Sequence, residues 1–213
     1  MSMAELIKSF HFYYLSHDCG LDYVFPVQDY EKAVLRPWLE HLESRGAEVR
    51  LSSPVHRIDR VEGGFEVDGE WVDEVVIASD IPGCKSIVSA SPTLVERDPL
   101  LESQVGAMKP GQRYAVLRVW LDVDVREGLP MFTVTDRVDM LDSVTTYHRY
   151  ETASMAWVEA RGGGSVLELH CYAVPDNAVE EHEVRDRLVS DMRTFFPEIK
   201  DARVIRAVFQ VKA

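Results

Sequence analysis

The spacing of hydrophobic positions changes part-way along the chain. Leu6, Phe10 and Tyr13 or Tyr14 recur at helical spacing, which predicts a short aromatic-rich helix over residues 4–16. Val34, Trp38, Leu39 and Leu42 form a second apolar stripe over residues 29–45, where Pro37 predicts a kink or a start near Arg36. Gly46 is placed to stop that helix in the left-handed conformation. The period then falls to two. Val49 and Leu51 alternate with Glu48 and Arg50 as a short strand. Residues 55–61, 65–67 and 70–72 read as a meander, punctuated by Gly63-Gly64 and Asp68-Gly69. Val75-Val76-Ile77-Ala78 shows no alternation, the pattern of a strand buried on both faces, and Ser79 or Asp80 is placed to cap a helix after it.

The second half is dominated by strands. Residues 113–125 alternate for a long stretch, with Ala115, Leu117, Val119, Leu121 and Val123 on one face. Further strands are predicted at 131–135, 144–150, 166–174 and 204–211. A helix is predicted at 178–196, where Val184, Leu188, Met192 and Phe195 share one side. Asn177 and Glu180 have capping-box spacing, and Pro197 ends the helix. Several strands with one long covering helix predict an α+β fold built on an antiparallel sheet. Tyr172 is expected on the open face of that sheet and Leu188 beneath the helix.

Composition narrows the function classes. The 213 residues carry a net charge of -13, which argues against nucleic acid as a partner, since phosphates need clustered Lys and Arg. Cys19, Cys84 and Cys171 are odd in number and widely spaced, so neither a disulfide framework nor a structural zinc site is predicted. His11, His17 and Cys19 fit no ordinary zinc spacing, and aromatic packing accounts better for His11. A cytoplasmic setting is expected, without a signal peptide or an apolar run near the ~20 residues of a membrane-spanning helix.

The stretch from Leu35-Arg36-Pro37-Trp38 through Arg45-Gly46-Ala47-Glu48-Val49-Arg50-Leu51 resembles the flavin amine oxidase and phytoene desaturase superfamily. So do Val55-His56-Arg57-Ile58 and Trp71-Val72-Asp73-Glu74-Val75-Val76-Ile77-Ala78. Phe10-His11-Phe12-Tyr13-Tyr14-Leu15, Gly20-Leu21, Gly163-Gly164-Ser165-Val166-Leu167-Glu168-Leu169-His170 and Tyr172-Ala173 carry the likeness toward carotenoid desaturases and aromatic-ring (phi-ring) carotene synthases. The resemblance implies three blocks: a helical part of a substrate domain at 1–46, a partial FAD-domain (Rossmann-like) β block at 47–90, and a substrate-binding domain with the antiparallel sheet at 91–213. It also implies FAD as cofactor of the parent enzyme. None of the twelve glycines forms G-x-G-x-x-G. Gly162-Gly163-Gly164 comes nearest, but Leu167 and a strand follow. The expectation is therefore an internal stretch of a longer enzyme, lacking the N-terminal pyrophosphate unit and the C-terminal flavin segment, and inactive and without tightly bound FAD on its own.

The resemblance places Val55 where a backbone meets the adenine of FAD, and Ala78 and Ser79 at the end of a strand facing the cofactor. Their alternative roles are an ordinary strand valine, a core residue and a helix cap. Tyr114 and Trp120 either line an apolar tunnel or pack under the 178–196 helix. Glu168 and His170 share a strand face with Tyr172, as an acid–base pair or as a hydrogen-bonded part of the cavity wall. The function expected is oxidation of a long apolar carotenoid-like substrate by hydride transfer to flavin. The alternatives are an amine oxidase-like flavoenzyme or a non-enzymatic module for an apolar ligand. Peripheral membrane contact of the parent is expected, as is homo-oligomerisation through an unpaired edge at 75–78.

Overall fold

The computed structural model describes residues 3–20, 22, 24–175 and 180–212. Helix α1 (Met3–Phe10) continues into a π-turn at His11–Leu15. A second π-turn, Glu31–Leu35, leads into α2 (Arg36–Ser44). Pro37 explains that widening: it has no N–H to offer to the carbonyl four residues back, so the preceding turn loosens. Gly46 ends α2 at φ 89° and donates its N–H to the Glu43 carbonyl at 2.9 Å.

The meander forms where it was predicted, although more briefly. Strands β1 (Ile58–Val61), β2 (Gly64–Val67) and β3 (Glu70–Val72) pair antiparallel in the order β1-β2-β3. Asp68 and Gly69, both at positive φ, make the tight turn between β2 and β3. The strand expected from residue 55 begins only at Ile58. The N–H groups of His56 and Arg57 donate to the Asp68 carboxylate at 2.9 and 2.8 Å, outside the sheet ladder. Residues 49–51 are likewise outside any strand, and Leu51 is exposed.

The run at 75–78 is left without a ladder partner, as expected of an unpaired edge, but it is not buried on both faces: Val76 is 88% exposed. An apolar run of that kind needs strand neighbours on both sides and helices on both faces, and the described residues around it provide neither. Such an edge is a template for association. We expect the chain to dimerise or aggregate with rising concentration, and Val76→Lys to reduce this in sedimentation experiments. A monomeric profile at high concentration would count against it.

Helix α4 (Pro92–Arg97) then packs on β1, and α3 (Ile81–Ser89) and α5 (Pro99–Ala107) pack against α4. Two hydroxyls in this segment serve the edge strand: Ser91 Oγ accepts from Ile58 N–H and Thr93 Oγ1 from Arg60 N–H, each at 2.9 Å.

The large sheet contains β4 (Tyr114–Leu121), β5 (Phe132–Val138), β6 (Leu141–Thr146), β7 (Ser165–Cys171) and β8 (Val204–Lys212). Its order is β5-β6-β7-β4-β8, antiparallel throughout. The strand predicted at 144–150 instead begins at Leu141, ends at Thr146, and passes into a 3-10 turn at Tyr147–Arg149. A short helix, α6 (Thr152–Arg161), intervenes before β7 and was not foreseen. Its caps carry the signal that its weak apolar stripe lacks. The Glu151 carboxylate accepts from Ser154 N–H at 2.8 Å, and Gly162 ends the helix at φ 70°. At Gly164, φ is 112° and a Cβ would run into the Leu121 carbonyl, so β7 can reach β4 only through glycine.

Alternation along β4 separates two environments. Ala115, Leu117, Val119 and Leu121 are fully buried, together with Leu167, Leu169 and Cys171 of β7. Against them lies α7 (Glu181–Phe195), whose Val184, Leu188 and Met192 are buried in the same core. Its predicted cap residue Asn177 lies outside the described residues, and the helix starts after Glu180, which makes no side-chain cap bond. Asp191, on the same helix, accepts Met140 N–H at 2.9 Å and so fastens the β5–β6 turn to α7.

Candidate functional site

The face of the large sheet away from α7 carries the polar and aromatic residues of the same strands. Tyr114, Val116, Arg118 and Trp120 alternate with the buried aliphatics of β4. Register brings Arg118 opposite Glu168 and Val116 opposite His170, while Ser143 of β6 lies beside His170 from the other side. Two adjoining depressions of about 600 and 560 Å³ make a trough across these strands. They share Tyr30, Tyr114, Arg118, Tyr147, Glu168 and His170.

The chain preceding α2 helps to wall one end. Val27 accepts both the N–H and the hydroxyl of Thr152, at 2.8 and 2.7 Å, which ties that segment to the start of α6. Phe25 then stacks on Tyr150 at 5.2 Å and Tyr150 on Tyr147 at 5.4 Å. At the other end, Arg206 of β8 covers the Trp120 ring at 4.7 Å.

Glu168 is the hub of the floor. Its Oε2 takes both Arg118 Nε at 2.8 Å and a terminal guanidinium nitrogen at 2.7 Å. Its Oε1 accepts the Tyr147 hydroxyl at 3.2 Å and lies 3.3 Å from His170 Nε2. The Arg118 guanidinium also stacks on the Tyr147 ring at 3.9 Å. Burial pushes the Glu168 carboxyl up, but the His170 hydrogen bond and the Arg118 charge outweigh it and hold the group below its usual range. Glu168 is therefore ionised at neutral pH. Burial, reinforced by the Glu168 charge, pushes the Tyr147 hydroxyl up, so it stays a donor. The Tyr150 hydroxyl is pushed up too, by burial first and then by Tyr147.

Of the sequence-predicted substrate residues, Tyr114, Trp120 and His170 meet in this trough, and Tyr172 lines its Phe132 side. Packing under α7 is thereby excluded for Tyr114 and Trp120, which point to the opposite side of the sheet. Tyr172 is 52% exposed and its hydroxyl shares a 2.9 Å hydrogen bond with Ser143. The rings of His170 and Tyr172 lie 5.6 Å apart, while His170 Nδ1 is buried with no hydrogen-bond partner among the described residues. Sequence reasoning passed over Arg118, Tyr147 and Tyr150. For Arg118 a signal existed: it has the same parity in β4 as Tyr114 and Trp120.

The predicted cofactor residues lie elsewhere. Val55 is 41% exposed and lines a separate depression with Val75 and Val76. Ala78 and Ser79 are exposed and do not line it. That surface suits the edge of a flat ring better than a pyrophosphate. Glu48, Asp68, Glu70 and Glu74 surround it, and Arg50 is engaged by Glu48 and Glu70 at 2.7 Å each. The N-terminus of α3 is occupied as well, because the Asp80 carboxylate accepts Gly83 N–H at 2.8 Å. The described residues around Val55 thus present an open, acidic surface with no cradle for phosphates. Among them, no group of three or more His, Cys, Asp or Glu is arranged for a metal ion, and no helix is long and apolar enough to cross a membrane.

The profile of the family described as flavin containing amine oxidoreductase matches residues 13–212. The chain belongs to this family. It is similar to the carotenoid phi-ring synthase of Streptomyces griseus, at 30% identity over all of this chain and 41% of that protein. A carotenoid phi-ring synthase of Chlorobaculum tepidum is 30% identical over 66% of this chain and 21% of its own length. The chain thus spans well under half the length of these curated relatives. Among solved structures, an oxidoreductase from Methanosarcina mazei superposes with a TM-score of 0.53 at 16% identity, covering 85% of this chain and 42% of that one. Reduced UDP-galactopyranose mutase gives 0.53 at 10% identity, covering 74% of this chain and 33% of that one. At such identities the likeness shows the fold alone.

Proposed function

We propose that this chain supplies the substrate-binding part of an FAD-dependent oxidoreductase acting on a carotenoid-like substrate. Residues 91–213 serve as its substrate domain and 47–90 as part of its FAD domain. The observation that carries the reading is the trough on the sheet face opposite α7. It is walled by Phe25, Tyr114, Trp120, Tyr147, Tyr150 and Tyr172, the kind of aromatic lining that receives a ring or a polyene. The names of the two carotenoid relatives agree with such a ligand. Bound flavin would supply a two-electron hydride acceptor. This chain's residues bind and orient the substrate.

Binding is the direct test. The purified chain is expected to take up β-carotene from detergent with a shift in the carotenoid absorption band. Tyr172→Ala should weaken that uptake while leaving stability nearly unchanged, since Tyr172 is half exposed on the open face. No uptake, or uptake unaffected by Tyr172→Ala and Trp120→Ala alike, would overturn the assignment of the trough.

The cofactor gives a second expectation. Without a phosphate cradle, FAD titrated into this chain is expected to show no sub-micromolar affinity. A tight, saturating titration would show that the surface around Val55 holds more of the cofactor than its acidic lining suggests.

A further inference from the structure

We propose that Glu168 is the catalytic proton acceptor of the oxidation, with Arg118, Tyr147 and His170 as its positioning residues. The inference rests on the reading of the trough as a carotenoid site and goes beyond it. Turning a saturated CH–CH pair of a ring into C=C breaks two C–H bonds. One hydrogen leaves as hydride, with its electron pair, to a two-electron acceptor of the flavin class. The other leaves as a proton, and its bonding electrons become the new π bond. A site that binds hydrocarbon therefore still needs one group to take a proton.

Of the three carboxylates among the described residues lining the trough, Asp29 is paired with Lys32 at 2.9 Å and Glu151 caps α6 through Ser154 N–H at 2.8 Å, so Glu168 is the one shared by both depressions. Its side chain is 14% exposed, so it is largely desolvated yet reachable from the trough. The groups facing it are Arg118 from β4, His170 from its own strand, and Tyr147 and Tyr150 beyond β6. Arg118 occupies Oε2, leaving Oε1 with two longer contacts at 3.2 and 3.3 Å. Oε1 is thus the less tightly held oxygen, the one to approach a substrate C–H. An ionised carboxylate also has the right sign. Loss of hydride leaves positive charge on the ring carbon, which makes the neighbouring C–H acidic enough for so weak a base and draws it to an anion. The proton is afterwards returned to water at the open side of the trough.

A flavin-free experiment reads the role. The chain is titrated with β-ionone, a neutral ring, with 4-amino-β-ionone, a ring carrying positive charge, and with hexylammonium, charge without a ring. The charged ring is expected to bind about tenfold tighter than β-ionone, the effect of one partly desolvated charge attraction. Glu168→Gln should abolish that preference, and Glu168→Asp should keep it. In the flavin-loaded full-length protein, Glu168→Gln should slow turnover by on the order of 100-fold or more. Turnover of the native protein should fall as acid protonates Glu168, an acid limb that Glu168→Gln lacks. Equal binding of the two rings, a preference surviving in Glu168→Gln, or hexylammonium binding as tightly as the charged ring would overturn the proposal and leave the carotenoid reading standing. If neither β-ionone nor β-carotene binds, the reading of the trough fails as well.

Discussion

Leu188→Ala is expected to lower the unfolding free energy by about 2–5 kcal/mol. Leu188 is fully buried at the centre of the α7 stripe, among Leu117, Leu169, Val184 and Met192 of the same core. Truncation there loses the transfer of the side chain from water and leaves a cavity that neighbouring strands cannot collapse into, because their register is fixed on both sides. Such a loss is a large share of the ~5–15 kcal/mol by which domains are ordinarily stable. Urea denaturation followed by circular dichroism would report it as a lower midpoint with an unchanged slope. Leu100→Ala offers the contrast: this α5 side chain is 66% exposed, and its loss should lie within about 0.5 kcal/mol. A cost below about 1 kcal/mol at Leu188 would mean that α7 does not close the core.

The large sheet was legible because two periods agreed. Leu117, Val119 and Leu121 repeat every second residue, Val184, Leu188 and Met192 repeat at helical spacing, and each pattern needs the other to be buried. That agreement also put Tyr172 on the open face and Leu188 beneath the helix, as the structure has them. The run at 75–78 shows the other side of this: read as a strand that buries both faces and expected as an unpaired edge, it stands outside every ladder. An unbroken apolar run reports what a segment requires of its neighbours, and here the described residues do not provide them. Helix α6 escaped because its sequence has almost no one-sided stripe, and its definition comes from Glu151 and the glycines after Arg161. The trough was half legible. Parity alone places Tyr114, Trp120, His170 and Tyr172 together, whereas Tyr147 and Tyr150 arrive by a 3-10 turn that no periodicity announces. Phe25 reaches the site through hydrogen bonds between Val27 and Thr152, a pairing 125 residues apart that local pattern cannot reveal.

Arg118→Met is expected to cost about 1–3 kcal/mol at neutral pH and progressively less as acid protonates Glu168, a difference that isolates the charge on Glu168. The two side chains are 30% and 14% exposed, so the pair is too well shielded to count as an ordinary surface bridge. Methionine keeps most of the volume and the contact with Tyr147 while removing the donors. The sign follows from the direction of the Glu168 shift. Its folded-state pKa lies below the unfolded value, despite burial, because His170 and Arg118 favour the carboxylate. That stabilisation is fully present above the unfolded value of about 4.3 and is lost as pH falls through the lower folded value. Without Arg118 the burial term meets less opposition and the folded pKa rises. The variant and the native chain should therefore converge in stability as acid protonates Glu168 in both, and diverge as the pH is brought back to 7. Thermal unfolding at a series of pH values checks this directly. A stability difference that stays constant from pH 3 to 7 would assign the loss to packing on Tyr147, and the electrostatic account of the trough floor would have to be given up.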